Sequence, residues 1–171
     1  MDDREGTAVA EATEEQGSSV AALPFLPILT DAGSGHSLTM LDTSMRLITT
    51  ASDSGGRYTV LEQVTPPGWG PPRHIHSRED EIFYVLEGGY ELHVGRERRT
   101  ISAGGSATLP RGIPHGFRNV ATRHSRLLCI IAPGGLEKYF LALAKCSPTP
   151  NPGQLIELAR PFGLTLLRPG E

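Results

Sequence analysis

A chain of 171 residues is long enough for one domain with a substantial core and short for two. With 16 Lys and Arg against 19 Asp and Glu the net charge is −3, without the clustered basic face that a nucleic-acid binder needs. No apolar run reaches the ~18 residues of a membrane span, and the start, MDDREGTAVAEATEEQGSS, has neither the basic nor the apolar region of a secretory signal, so the chain reads as cytoplasmic.

Residues 1–21 are polar and acidic. They carry too little apolar surface to offset their own ordering entropy, so the expectation is disorder or an arm held by a partner subunit. From Leu23 the apolar content rises, and SLTMLDTSMRLITTASDSGGRYTVLEQVTPPG reads as strands, with Gly55-Gly56 as the turn before RYTVLEQVT. IFYVLEG (Ile82 to Gly88) is rich in β-branched and aromatic residues and stops at a Gly-Gly turn. ELHVG alternates apolar and polar and leads into a charged hairpin tip, RERR (Arg96 to Arg99). SRLLCIIAPGG is a continuous apolar strand closed by Pro-Gly-Gly. Short strands at 8 to 12 residue spacing point to an all-β sandwich or barrel over 22–135. In the tail, 136–171, LEKYFLALAK and GQLIELARPFG have helical spacing, so two short helices are expected over the barrel mouth or a dimer seam. Cys129, in an apolar run, and Cys146, near a Pro-rich loop, make no disulfide framework.

The chemistry concentrates in two segments. In GWGPPRHIHSREDEIFYVLEG, His74 and His76 are two apart and share one face of an extended strand, and Glu81 follows a short polar connection that can return the chain to the same place. In GGSATLPRGIPHGFRN, His115 follows a Pro-x-Gly bend. An isolated His-x-His is commonly surface decoration. Three imidazoles and one carboxylate together form an N/O donor set suited to one divalent ion, Fe, Mn, Ni, Co, Cu or Zn. Such a centre carries a net charge of about +1 and keeps positions open for water or an anionic oxygen ligand.

These segments resemble the two cupin motifs. G-x5-H-x-H-x4-E-x6-G is matched by Gly68, His74, His76, Glu81 and Gly88, and G-x5-P-x-G-x2-H-x3-N by Gly104, Pro110, Gly112, His115 and Asn119. The flanks, SGGRYTVLEQVTPPGWG and RLLCIIAPGGLEKYF, are similar to single-domain cupins of the bacterial quercetin 2,3-dioxygenase kind, and ELARPFGLTLL resembles their terminal helix and closing strand. The resemblance implies a double-stranded β-helix, the jelly-roll cupin barrel, with short C-terminal helices, one divalent metal and often a homodimer. It implies Glu81 as ligand and base, a small enolic or phenolic substrate and, in an oxygenase, dioxygen. A redox-neutral cyclase or isomerase, and a non-catalytic ligand-binding barrel, use the same ligands.

By strand alternation Phe83 and Val85 share the face of Glu81, and Phe117 that of His115. Tyr90 and Leu92 extend this wall if their face is inward; ordinary core is the competing reading for all five. Trp69 in the approach loop and Arg73 in PPRH are further candidates for substrate contact, with loop packing and solvent exposure as the alternatives. Tyr84 should face away, towards the other sheet or a subunit interface. Asn119 reads as structural, and His36, His93 and His124 as histidines without a ligand role.

Overall fold

The computed structural model describes residues 27–168, and the arm expected over 1–21 lies outside them. The alternating apolar pattern folds as eleven strands in two antiparallel sheets. The first hairpin joins β1 (His36–Met40) to β2 (Thr43–Thr49) through Leu41 and Asp42, both at positive φ. Next comes β3 (Thr59–Thr65), whose residues alternate strictly between buried and half-buried. Then follow β4 (His74–His76), β5 (Asp80–Glu87), β6 (Gly89–Val94), β7 (Glu97–Ser102), β8 (Ser106–Leu109), β9 (His115–Asn119) and β10 (Ser125–Ala132). The tail supplies α1 (Glu137–Ala144), α2 (Pro152–Ala159), one 3-10 turn (Arg160–Phe162) and a last strand, β11 (Leu164–Leu166). The larger sheet has the order β1-β2-β3-β10-β5-β8 and the smaller β11-β4-β9-β6-β7. This is the two-sheet jelly roll expected of the chain.

Three details differ from the sequence reading. Gly88-Gly89 closes no hairpin, because β5 and β6 lie in different sheets; the glycines carry the chain across the barrel corner. Gly88 sits at φ 77, and a side chain there would collide with Ser125, so glycine is required. The charged hairpin turns at Gly95-Arg96, where positive φ at Gly95 permits a two-residue turn; Glu97 to Arg99 already pair as strand. The tail is helical only in part, since β11 returns to pair with β4.

The core lies between the sheets, where Leu61, Val85, Tyr90, Leu109, Leu127 and Ile131 are almost fully buried. Tyr84 faces away from that core, 46% exposed on the outer side of the larger sheet beside Ile82 and Leu86. Helix α1 packs against β1 and α2 against β11. A capping box between Asn151 and Gln154, with Pro152 in the first turn, starts α2. Glu137 opens α1 and is buried. Its carboxylate accepts from Ala51 N–H (3.0 Å), the Thr59 hydroxyl (2.6 Å) and Gly135 N–H (2.9 Å), tying the helix to the barrel wall. No helix among the described residues is long and apolar enough to cross a membrane.

Candidate metal centre

Strand β4 is three residues long and is held on both sides. His74 pairs with His115 of β9, while Leu166 and Leu164 of β11 pair with His74 and His76. The alternation of β4 turns both imidazoles inward with Ile75 between them, and the bend at Pro110-x-Gly112 delivers His115 to the adjacent strand. Glu81 arrives from the other sheet, near the start of β5. That strand start is clamped to the His115 loop by Arg111, which donates to Asp80 from its backbone N–H (2.9 Å) and from Nε and Nη2 (3.0 and 2.8 Å). These bonds with Arg111 hold the Asp80 carboxyl down at about 2.

His74, His76, Glu81 and His115 are all buried, and one donor atom of each lies within 4.8 Å of every other. Imidazole centroids are 4.6 Å apart for His74 and His115, 5.0 Å for His74 and His76, and 5.2 Å for His76 and His115. His74 Nδ1–H donates to Pro72 C=O (2.8 Å) and His115 Nδ1–H to Ile113 C=O (2.9 Å). Each bond fixes the tautomer that leaves Nε2 as a lone-pair donor facing the centre. His115 Nε2 is 3.3 Å from Glu81 Oε2, and His76 Nε2 is 3.7 Å from Glu81 Oε1. His76 Nε2 and His115 Nε2 have no hydrogen-bond partner among the described residues. Buried polar atoms without partners are costly, and a divalent cation at their convergence satisfies them together. The residues fit a metal.

Burial drives the His74 pKa down to about 4; the Glu81 charge opposes this, and the neighbouring His115 and His76 add to it. Burial works to raise the Glu81 carboxyl, but the close approach of His115 and the surrounding imidazoles outweigh that, and its pKa is lowered. Neutral imidazole and ionised carboxylate are the forms that bind metal. Cys129, 3.9 Å from Glu81 Oε1, is pushed well up by burial and by the adjacent carboxylate, so it remains a thiol.

Three of the donors border an apolar cavity of about 90 Å³. That is small beside the 300–1,000 Å³ common for drug-sized ligands, so it accepts a small substrate or the chelating head of a larger one. Phe83, Phe117 and Trp69 line it. Phe83 and Phe117 meet edge to face at 5.4 Å. Val85, Tyr90 and Leu92 are inward but pack in the core, and the cavity lining does not include them; the Tyr90 hydroxyl is spent on Thr65 at 2.7 Å. Arg73 is on the opposite face. Alternation with His74 turns it out of the barrel, where it donates to Gly95 C=O (3.3 Å) and borders an outer groove with Glu91 and Arg118. Asn119 is structural: Nδ2 donates to Thr65 and Arg123 C=O, and Oδ1 accepts from Ala121 N–H and the Ser125 hydroxyl. His36, His93 and His124 lie outside the cluster.

The sequence reading missed the far wall. Thr43 and Gln63 from the larger sheet, Tyr139 and Leu143 from α1, and Leu164 and Leu166 from β11 complete the cavity. Helical spacing in the tail was the signal for α1; nothing local marked which barrel opening it covers.

Residues 61–131 match the family model for the cupin domain. Over 118 residues, 69% of this chain and 35% of the relative, the chain is 24% identical to quercetin 2,3-dioxygenase of Bacillus subtilis. It is 28% identical to Protein SchB of Streptomyces halstedii over half of this chain and 60% of that protein. The chain thus spans about a third to three-fifths of the length of these relatives. A predicted oxalate decarboxylase from Thermotoga maritima superposes with TM-score 0.58 at 18% identity, over 62% of this chain and 99% of that one. The polyketide cyclase RemF from Streptomyces resistomycificus gives 0.53 at 24%, over 63% and 80%. At these identities the structural matches establish the fold alone.

Proposed function

Since the chain belongs to the cupin superfamily, we propose that it is a metal-dependent oxygenase acting on a small enolic or phenolic substrate bound at its metal. One observation carries this reading: three buried imidazoles and one buried carboxylate from both sheets converge beside an apolar cavity. Distant similarity to a quercetin dioxygenase favours oxygenase chemistry within it.

His74, His76, His115 and Glu81 would hold the ion. When bound, a divalent ion supplies Lewis acidity toward a substrate oxygen and, where redox-active, electron transfer to dioxygen. The chain does the rest. Phe83, Phe117 and Trp69 offer an apolar substrate one dry wall and keep water away from the reacting carbon. Glu81 accepts the substrate hydroxyl proton at a carboxylate oxygen, leaving an electron-rich enolate or phenolate. With Arg73 outside the barrel, recognition of the substrate's negative charge falls to the metal site.

The competing reading is a redox-neutral cyclase or isomerase, which the same ligand set serves equally well. Two measurements decide. His76→Ala and His115→Ala should each abolish metal retention, read by metal analysis after gel filtration, while the far-ultraviolet circular dichroism stays that of a folded barrel. Unchanged stoichiometry and affinity in either variant would remove the site. With flavonols and simple enols as trial substrates, turnover should consume oxygen, and Glu81→Gln should lower turnover more than metal content. Turnover that proceeds equally without oxygen turns the assignment to the redox-neutral alternative.

A further inference from the structure

Glu79 lies between His76 and Glu81 in sequence but outside the four converging donors. It is only 5% exposed, and its Oε2 is 3.5 Å from His76 Nδ1. Both atoms are buried, and neither has a hydrogen-bond partner among the described residues. The other two imidazoles are turned by backbone carbonyls two residues upstream, Pro72 and Ile113. His76 has no such carbonyl; what stands behind it is a carboxylate.

Resting on the reading of the four donors as metal ligands, we infer that Glu79 is a positioning residue of the centre, its carboxylate accepting the Nδ1–H of His76. Two buried unsatisfied atoms facing each other at 3.5 Å need to close by only about half an ångström to satisfy one another. The bond fixes the His76 tautomer, so Nε2 faces the ion, and makes that nitrogen the most basic of the three. Glu79 is not a fifth ligand. The two nitrogens of an imidazole point apart, so a group behind Nδ1 does not share an ion bound at Nε2. Nor is it committed elsewhere: Arg111 is near enough to feel its charge, but that guanidinium donates to Asp80. A second carboxylate also brings the site from about +1 towards neutrality when a divalent ion is bound.

The test uses full-length protein stripped by a chelator and titrated with Zn²⁺ and with Co²⁺ against a chromophoric competitor. Glu79→Gln keeps the size and an acceptor oxygen but removes the charge; Glu79→Leu removes both; His115→Ala is the control. One ion per chain should remain in both Glu79 variants. Dissociation constants should rise roughly 10-fold for Gln and up to about 100-fold for Leu, and the Co²⁺ absorption bands should shift in Gln. A packing role predicts an unchanged spectrum and Kd for Gln, and that result overturns the inference even if the Leu variant fails to fold. Wild-type protein that binds no metal overturns the site and this inference together. Wild-type binding that depends on His115 but is indifferent to Glu79 overturns this inference alone.

Discussion

A barrel interior that holds the His74 imidazole neutral makes the metal-free protein acid-sensitive. His74 titrates near 4 when folded, against 6.5 in an unfolded chain. Between those values the unfolded state takes up a proton that the folded state refuses, so stability falls as pH falls through that window. The difference corresponds to about 3 kcal/mol, spent almost entirely between pH 6.5 and 4. Glu81, with its folded pKa lowered, adds to the loss below 4.5 with the same sign. The urea midpoint of metal-free protein should therefore drop steadily from pH 7 to pH 4.5, and His74→Asn should flatten the upper part of that profile. A midpoint constant over this range would mean that the imidazole is not desolvated as described. At this scale the sequence was highly informative. Histidines two apart on a strand must share a face, and the two motifs brought Glu81 and His115 to them. Arg73 stayed open between substrate contact and solvent, and Glu79, only three residues past His76, was missed because strand alternation does not fix the turn after β4 that brings it behind that imidazole.

Between residue and barrel, the tail positions the site from two directions. Strand β11 pairs along β4 and keeps the short His-x-His strand from fraying, while α1 closes the cavity with Tyr139 and Leu143. The hold on α1 is Glu137, whose carboxylate serves three donors out of water. Hydrogen bonds to a charged group contribute about 1.5–3 kcal/mol each, and the stranded donors add a desolvation cost. Glu137→Ala should cost about 4–5 kcal/mol in urea unfolding, the low end for three such bonds, and should raise amide exchange over 137–144 before the barrel strands exchange. Equal protection of α1 in both proteins would show that apolar packing alone holds the helix. Strand and helix types were legible here from period and breakers, but the connections were less so. The first hairpin turns on Leu41-Asp42, which lacks the Asn-Gly signature of such turns, and Gly88-Gly89 looks like a hairpin while serving as a crossing between sheets.

In the whole molecule the four donors join what the backbone leaves separate. His74, His76 and His115 belong to the smaller sheet and Glu81 to the larger, so an ion among them is a cross-link between the two layers. Pairing order of this kind is set by contacts distant in sequence, and alternation alone allowed a sandwich as readily as a jelly roll; the family motifs chose between them. The cross-link has a thermodynamic consequence that needs no knowledge of the substrate. A ligand bound only by the folded state stabilises it by about 2.7 kcal/mol at a hundredfold excess over Kd, and a chain of this size gains roughly 2–4 °C in Tm per kcal/mol. Loading stripped protein with its preferred divalent ion should therefore raise Tm by roughly 5–10 °C, and the gain should vanish in Glu81→Ala as it does in His115→Ala, although those residues lie in different sheets. A rise that survives loss of Glu81 would mean that the smaller sheet holds the ion alone, and the layers would then be joined by apolar packing without help from the metal.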